Sequence, residues 1–332
     1  MDIELIRKLI ETAAIAGRER AAAELISELI APYVDKVKVD RLGSVIAHLP
    51  GGFAPDSDSK RIVLEAPMAS PGFLANDYRE NGRICLTPIG FAETDATVGA
   101  HIVFGGGAEG VVVSDEDNPG GFAAETGASA IDEAKELVAV GEWAVYKPFL
   151  SEISDGCLIG WPLSSAVACA ALITAAKMVP KPENDVWFVF ASQKTPAGSR
   201  GAGAALYSLG EDGDVDFALE IGGCPETRSK KRTAGVLGAG AAIRISDGRV
   251  VCDPEISSGL EALAADSGIK TQRYMGTERM SDALAMGRAG YGVRTGGILA
   301  PVRSHHRPAE IVSLADAEAV AELAAEVVRR GV

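Results

Sequence analysis

The histidines and cysteines, which could bind a metal or do catalytic chemistry, are few in this sequence and scattered. The chain contains four histidines and five cysteines. His305-His306 follows the apolar run 293–299, a predicted strand, and α/β sheets present their ligand sites after such strands. His48 and His101 stand alone and are interpreted as surface or hydrogen-bonded residues. His306 is therefore the histidine that we single out as a candidate ligand or catalytic residue.

The glycine-rich motifs of nucleotide-binding proteins are incomplete here. Gly238-Ala239-Gly240 lacks the third glycine of a dinucleotide fingerprint, because Ile243 stands in its place, and it precedes a predicted strand. Gly105-Gly106-Gly107 is not followed by the G-K-[ST] of a phosphate loop. The G-x-S-x-G motif of a nucleophile elbow is also missing. These motifs therefore predict no site for a dinucleotide cofactor, no phosphate loop and no esterase-like nucleophilic serine.

Charge and composition narrow the classes of partner. The 332 residues include 46 acidic and 32 basic side chains, for a formal net charge of −14. Binding to nucleic acid or to an anionic membrane needs clustered lysine and arginine. The densest basic run, Arg228, Lys230, Lys231 and Arg232, is interpreted as a solvated loop. We expect neither a nucleic-acid partner nor a membrane partner.

The start of the chain, its most apolar stretch and its cysteines predict a cytoplasmic protein. The start, Met1-Asp2-Ile3-Glu4, lacks the basic region of a signal peptide. The most apolar stretch, residues 166–176, is shorter than the ~20 residues of a membrane span. The cysteines are odd in number and form no C-x-x-C pair, which is typical of a reducing compartment.

The apolar pattern predicts an α/β fold that is interrupted once. Helical and strand-like patterns alternate over residues 1–70 and again over 158–332, which predicts a mixed, mostly parallel sheet with helices on both faces. Residues 71–157 are rich in glycine and in short β-like runs. We therefore predict an α/β domain formed by 1–70 and 158–332, with a small inserted β-rich domain at 71–157.

A series of short motifs then identifies a family resemblance, because the motifs occur in the same order over nearly the whole chain. They are Val39-Asp40-Arg41-Leu42-Gly43-Ser44, Thr87-Pro88-Ile89-Gly90, Thr126-Gly127-Ala128-Ser129, Arg200-Gly201-Ala202, Ser281-Asp282-Ala283 and His306-Arg307-Pro308-Ala309-Glu310. In this respect the sequence resembles the tetrahedral (TET) aminopeptidases, zinc- or cobalt-activated deblocking and glutamyl aminopeptidases. The resemblance implies a zinc-peptidase-like α/β domain.

The chemistry of that family needs two metal ions that share a bridging carboxylate, and a glutamate as general base. At the matching positions this chain has Pro67 for a ligand histidine and Ala69 for the aspartate that orients it. The bridging carboxylate is replaced within Pro162-Leu163-Ser164-Ser165. The resemblance therefore implies a divergent member whose metal site has changed.

The remaining positions of the implied site follow the same trend. Lys194 stands for the general base and Thr195 for the next ligand. Glu220 matches a ligand aspartate as another carboxylate, and His306 matches the final ligand histidine. Because only Glu220 and His306 remain as metal ligands, we expect no zinc, no cobalt and no other cofactor. We also expect Lys194 to form an ion pair with Glu220 in the vacated space.

Three functions remain open from the sequence. The first is a non-catalytic pseudo-peptidase that serves in assembly or binds a small molecule or peptide. The second is a metal-free hydrolase in which Lys194 lowers the pKa of Ser164 or Thr195, or itself acts as a base. The third is a divergent metallo-aminopeptidase with rearranged ligands. Its candidate ligands are Glu220, His306, Asp282 and His305.

Self-association is the last expectation. The resemblance implies a homo-oligomer, a dimer or a dodecamer, assembled through the inserted domain at 71–157. Apolar residues in loop-like contexts, Phe104, Phe122 and Phe149, are the candidates that an interface would bury.

Overall fold

A computed structural model describes residues 1–52, 59–195, 198–211, 213–227, 235–277 and 281–332. The basic run at 228–232 lies outside the described residues. Strands in the described part of the chain are β1 (Lys36–Val39), β2 (Val45–Leu49), β3 (Arg61–Pro67), β4 (Gly72–Tyr78), β5 (Ile84–Ile89), β6 (His101–Phe104), β7 (Glu109–Ser114), β8 (Phe122–Glu125), β9 (Trp143–Tyr146), β10 (Phe149–Ile153), β11 (Cys157–Trp161), β12 (Asp185–Ala191), β13 (Phe217–Pro225), β14 (Ala241–Ser246), β15 (Thr271–Met275), β16 (Arg294–Arg303) and β17 (Glu310–Ser313).

The α-helices of the described residues are also numbered in chain order. They are α1 (Ile3–Glu11), α2 (Arg20–Ile30), α3 (Thr94–Thr97), α4 (Ile131–Leu137), α5 (Leu163–Met178), α6 (Arg200–Gly210), α7 (Pro254–Asp266), α8 (Ala283–Gly287) and α9 (Leu314–Arg330). Short polar side chains begin several of them. The Asp253 carboxylate accepts the N–H groups of Glu255 and Ile256, and Pro254 occupies the first helical position, where no N–H is needed.

Eleven strands form one mixed sheet in the order β1-β2-β12-β3-β13-β16-β17-β11-β10, with β14 and β15 attached beside β16. The central strands β12, β3, β13 and β16 run parallel, as β14 and β15 do. The other pairs of the sheet are antiparallel. The predicted mixed α/β sheet is confirmed, and its parallel part is the centre, because antiparallel strands extend it on both sides.

Helices cover both faces of this sheet, and β3 illustrates why. Its side chains alternate between two cores, as the period of two in a strand requires. Ile62 and Leu64 belong to the core under α1, α2, α5, α7 and α9, whereas Val63 belongs to the core under α6 and α8. Helix α5 is apolar nearly all round because it is enclosed between the sheet and α9.

The small β-rich unit is a closed six-stranded barrel, in the order β4-β5-β8-β7-β6-β9. Closure leaves the barrel no free strand edge. Its own apolar core contains Phe73, Phe104, Phe122 and Tyr146. Trp161, from β11 of the large sheet, also packs into this core, with its ring centroid 5.2 Å from that of Tyr146.

Two expectations about the insertion differ from the structure. The predicted insertion 71–157 includes β10, which instead pairs with β11 in the large sheet, because the two strands form a hairpin. Phe104 and Phe122 were expected at an interface, but both are buried in the barrel core. Only Phe149 of the three is exposed. The barrel strands are short and lie between glycines, so their sequences resemble those of loops.

None of the helices in the described part of the chain combines the length and the apolar character that crossing a bilayer requires.

Candidate functional site

The candidate site lies where the parallel strands of the large sheet end. β3 ends at Pro67, and Lys194 follows shortly after the end of β12. Glu220 lies on the neighbouring strand β13, and His305-His306 follow the next strand, β16. Because the carboxyl ends of parallel strands open onto one crevice, these four segments bring their side chains together.

Lys194 lies between two carboxylates. Its Nζ is 2.8 Å from Glu220 Oε1 and 3.0 Å from Asp282 Oδ2. The Lys194 side chain is 14% exposed, while those of Glu220 and Asp282 are 2% and 0% exposed. The expected ion pair between Lys194 and Glu220 is confirmed, and Asp282 is a second partner.

The other oxygen of Glu220 has its own cation. Arg244 Nη1 donates to Glu220 Oε2 at 2.6 Å, and the Ser281 hydroxyl donates to the same oxygen at 2.7 Å. The backbone N–H of Asp282 donates to it at 2.9 Å. Glu220, which is 2% exposed, is thus held by two basic side chains, by the Ser281 hydroxyl and by a backbone N–H.

These contacts shift the pKa values of the whole cluster. Burial alone would raise the pKa of Glu220, but Arg244 and Lys194 outweigh burial and lower it. Burial likewise opposes the charge on Lys194, yet Asp282 and Glu220 raise its pKa. Both groups are therefore ionised at neutral pH.

Glu65, on β3, is the third carboxylate of the cluster and is fully buried. Burial, followed by the negative charges of Asp282 and Glu220, raises its pKa well above the usual range. Burial also raises the pKa of Asp282, against the effect of Lys194. The positive charges of Lys194 and Arg244 are therefore matched by the negative charges of Glu220 and Asp282. The raised pKa of Glu65 favours its protonated form.

A second cluster faces the first across the crevice. Glu310, at the start of β17, accepts the backbone N–H of Ser164 and of His306, each at 2.8 Å. The Ser164 hydroxyl also donates to Glu310, at 3.1 Å. Gly223 is needed beside them, because a Cβ there would come 2.9 Å from Ser164 Cβ and 3.2 Å from His305 Nε2.

The two histidines are stacked and neutral. The rings of His305 and His306 lie 3.6 Å apart, and the ring of Phe91 lies parallel to His306 at 5.7 Å. Burial and the nearby charge of Lys194 lower the pKa of His306 to about 3. Burial also lowers the pKa of His305, with smaller effects from His306 and Lys194. His306 has a left-handed backbone (φ 63°), a strained conformation that is common at functional sites.

A cavity of about 600 Å³ opens above both clusters. Its lining includes six of the seven residues that the sequence predicts for the site: Pro67, Ala69, Ser164, Lys194, Glu220 and His306. Thr195 is the exception among them. Its Oγ1 lies against Gly90, 3.1 Å from where a Cβ would be, so it belongs to the loop contact beside the cavity.

Sequence reasoning missed three residues that define the site. Glu65 and Arg244 are each a charged residue within an otherwise apolar strand, R-I-V-L-E-A and A-A-I-R-I-S. A charge inside such a run requires a buried partner, and this signal was available. Glu310 belongs to the motif His306-Arg307-Pro308-Ala309-Glu310, but it precedes the short apolar run Ile311-Val312 rather than lying inside one, so the pattern does not indicate its burial.

Two groups in the described part of the chain could offer a metal three ligands. One is Glu65, Glu220 and Asp282; the other is His305, His306 and Glu310; within each group the ligand atoms lie within 4.8 Å of one another. In the first group a divalent cation would have to displace Lys194. In the second, Glu310 already accepts three hydrogen bonds.

The chain is similar in sequence and in structure to known aminopeptidases. Over 332 residues it is 26% identical to a putative aminopeptidase of Acetivibrio thermocellus, with 98% of each chain covered. In structure it is similar to the aminopeptidase APDkam598 of the archaeon Desulfurococcus kamchatkensis, with a TM-score of 0.89 and 25% identity over 98% of this chain and 94% of that one.

A second solved structure has the same fold. It is the TET1 peptidase of Pyrococcus horikoshii, which can assemble into a tetrahedron or a large octahedral shell; the TM-score is 0.85 at 24% identity, with 99% of each chain covered. Residues 43–323 match the M42 glutamyl aminopeptidase family. That match covers most of the chain, and the chain therefore belongs to the M42 glutamyl aminopeptidase family.

Proposed function

We propose that this chain is an aminopeptidase-like protein without two-metal chemistry, which acts as a non-catalytic subunit for ligand binding and assembly. One observation carries the proposal. The Lys194 ammonium lies within 3.0 Å of both Glu220 and Asp282, where the family resemblance implies metal ions. A fixed positive charge in that position repels a divalent cation.

The donor set also does not fit a pair of metal ions. Pro67 and Ala69 have no side-chain donor atom, and the hydroxyl of Ser164 donates to Glu310. Structural and catalytic zinc sites need at least three protein ligands each. We therefore assign no metal-dependent step to these residues.

A metal-free hydrolase that uses Lys194 as a base receives less support. A lysine base needs a lowered pKa, and here Glu220 and Asp282 raise the pKa of Lys194 against the effect of burial. Activation of Ser164 by Lys194 is also disfavoured, because the Ser164 hydroxyl donates to Glu310.

A metallo-aminopeptidase with rearranged ligands would have to use His305, His306, Glu220 and Asp282. Glu220 is fully engaged by Arg244, Ser281 and Lys194. His305 and His306 remain neutral and could bind a metal, but the Lys194 charge acts on both rings. Metal analysis of the purified protein separates this alternative from the proposal.

We expect no aminopeptidase turnover on aminoacyl p-nitroanilides when zinc or cobalt is added. Loss of a general base alone costs about 10²–10⁴ in rate, and loss of the metals costs more. The measurement is a chromogenic assay beside metal analysis by mass spectrometry, with the Desulfurococcus aminopeptidase as positive control. Metal-dependent turnover that His306→Ala abolishes would contradict the proposal.

We also propose that the barrel formed by β4 to β9 mediates self-association. The assembly of the Pyrococcus TET1 peptidase supports this. So do exposed apolar side chains at two places on the barrel, Val98 and Val111 near β7 and Leu137 and Val140 beside α4.

Light scattering should give a mass that is a multiple of the 34.4 kDa chain. Val140→Asp should reduce that mass, because a charge in an apolar interface is costly. Val251→Asp, at an exposed valine outside the barrel, is the control. A monomer whose mass stays constant over the whole concentration range would overturn this assignment.

The setting proposed for this function is the cytoplasm. The five cysteines are free thiols, which supports a reducing compartment. The net charge of −14 supports a partner other than nucleic acid.

A further inference from the structure

We propose that the cavity binds a small organic carboxylate, with a carboxylate oxygen on the Lys194 ammonium and an apolar body against the wall. This inference rests on the proposed function, since it gives the ligand class of the same cavity. It reverses the chemistry expected of a two-metal site, because the protein supplies the cation and the ligand supplies the anion.

The donor count of Lys194 is the first step. An ammonium group has three N–H donors. Glu220 accepts one of them at 2.8 Å, and Asp282 is an ion-pair partner at 3.0 Å. Lys194 also lines the cavity, so its third N–H is available to an acceptor that enters there.

The acidic residues of the lining are the second step, because an unpaired acid would repel an anion. Glu93 is paired with Arg307 at 2.7 Å, and Glu226 with Arg303 at 2.6 Å. Glu220 is paired with both Lys194 and Arg244. Because the charges of these three glutamates are neutralised, they do not repel an anion that approaches the Lys194 ammonium.

Among the described residues, Asp247 is the remaining acidic residue of the lining, and its charge acts on that of Arg244. Its Oδ1 accepts the backbone N–H groups of Arg249 and Val250. Its Oδ2 is buried and has no hydrogen-bond partner among the described residues, so it offers an acceptor to a ligand N–H. A carboxylate that also carries an amide group therefore suits this lining better than a simple fatty acid.

Other polar atoms of the lining also lack partners. Arg244 Nε and His306 Nδ1 are both buried, and neither has a hydrogen-bond partner within the part of the chain that the structure describes. Arg244 is 5% exposed and lines the cavity, as His306 does. Buried polar atoms are nearly always satisfied, so unsatisfied ones around a cavity indicate that its occupant is polar.

The residues of the cavity wall and the cavity volume indicate the size and the apolar character of the ligand. Pro67, Ala69 and Phe91 give one side of the cavity an apolar surface. A volume of about 600 Å³ is suited to a small molecule. An N-acylated amino acid with an aliphatic side chain combines the carboxylate, the N–H and the apolar body.

The test compares N-acetyl-leucine with leucinamide by isothermal titration calorimetry on the full-length protein. N-acetyl-leucine should bind, and leucinamide, which has a neutral carboxamide in place of the carboxylate and a free ammonium in place of the acetylated amine, should bind at least about 10-fold more weakly. Lys194→Met should remove the preference. Equal binding of the two probes, or an unchanged preference in Lys194→Met, would overturn the inference.

Lys194→Met alone could fail by unfolding, so a second variant is needed. Phe91→Ala changes a wall residue that is 48% exposed, and it should weaken N-acetyl-leucine binding while the fold persists. Lys147→Met, at a lysine on the barrel that pairs with Glu109, is the control and should bind as the parent does. Unchanged binding in Phe91→Ala would count against the cavity as the site.

The two proposals can fail separately. If neither probe binds and zinc gives no turnover, the ligand class is wrong while the non-catalytic function stands. If zinc gives turnover, the proposed function is wrong, whatever the calorimetry shows.

Discussion

Replacement of Lys194 by alanine is expected to lower the free energy of unfolding by about 3–5 kcal/mol. The variant leaves Asp282 without the cation that lies 3.0 Å from it and removes one of the two cations on Glu220. Because these carboxylates are buried, the loss of a cationic partner is costly. Denaturant unfolding at neutral pH, followed by circular dichroism, measures the loss.

Two further variants show whether charge is the cause. Lys194→Met with Asp282→Asn removes one charge of each sign and should recover part of the loss, because replacing a buried ion pair is milder than breaking it. Lys147→Ala removes an exposed lysine that pairs with Glu109 and should change stability little. A loss for Lys194→Ala no larger than that for Lys147→Ala would contradict the described network.

Replacement of Trp161 by alanine is expected to cost about 3–5 kcal/mol of unfolding free energy. Trp161 is fully buried and extends from the large sheet into the barrel core, where it packs edge-on against Tyr146. Its loss would leave a cavity at the junction of the two units. Thermal or chemical unfolding measures the effect, and a second transition would report a barrel that has lost its coupling to the sheet.

Trp187→Ala is the matched control for that experiment. Trp187 is half-buried on β12 and stacks on His48 at 4.0 Å, away from the barrel. We expect a smaller loss and a single transition. Similar losses in the two variants would argue against a special role of Trp161 at the junction.

The alternation of the fold could be predicted because its buried strands are continuous apolar runs. V-W-F-V-F-A became β12, and R-I-V-L-E-A became β3. The barrel was harder to predict, because its strands are short and lie between glycines. The sequence pattern therefore indicates loops at Phe104 and Phe122, whereas both side chains lie in the barrel core.

The candidate site was predictable where one residue replaces another at a matched position. Lys194 and Glu220 were expected to pair, and they lie 2.8 Å apart. The role of Arg244 was not predicted, because β14 reaches Glu220 only through its attachment to β16 at the side of the sheet. Strand order is a long-range property, and the period of apolar residues along one strand does not contain it.

The Lys194 ammonium has one consequence that a bound ion could not have. A metal ion occupies a site according to its free concentration and its dissociation constant, so the occupied fraction varies with supply. A charge on a side chain of the same polypeptide has no dissociation equilibrium and no dependence on supply. The electrostatic character of the cavity is thus inherited with every copy of the chain, in metal-poor and metal-rich surroundings alike.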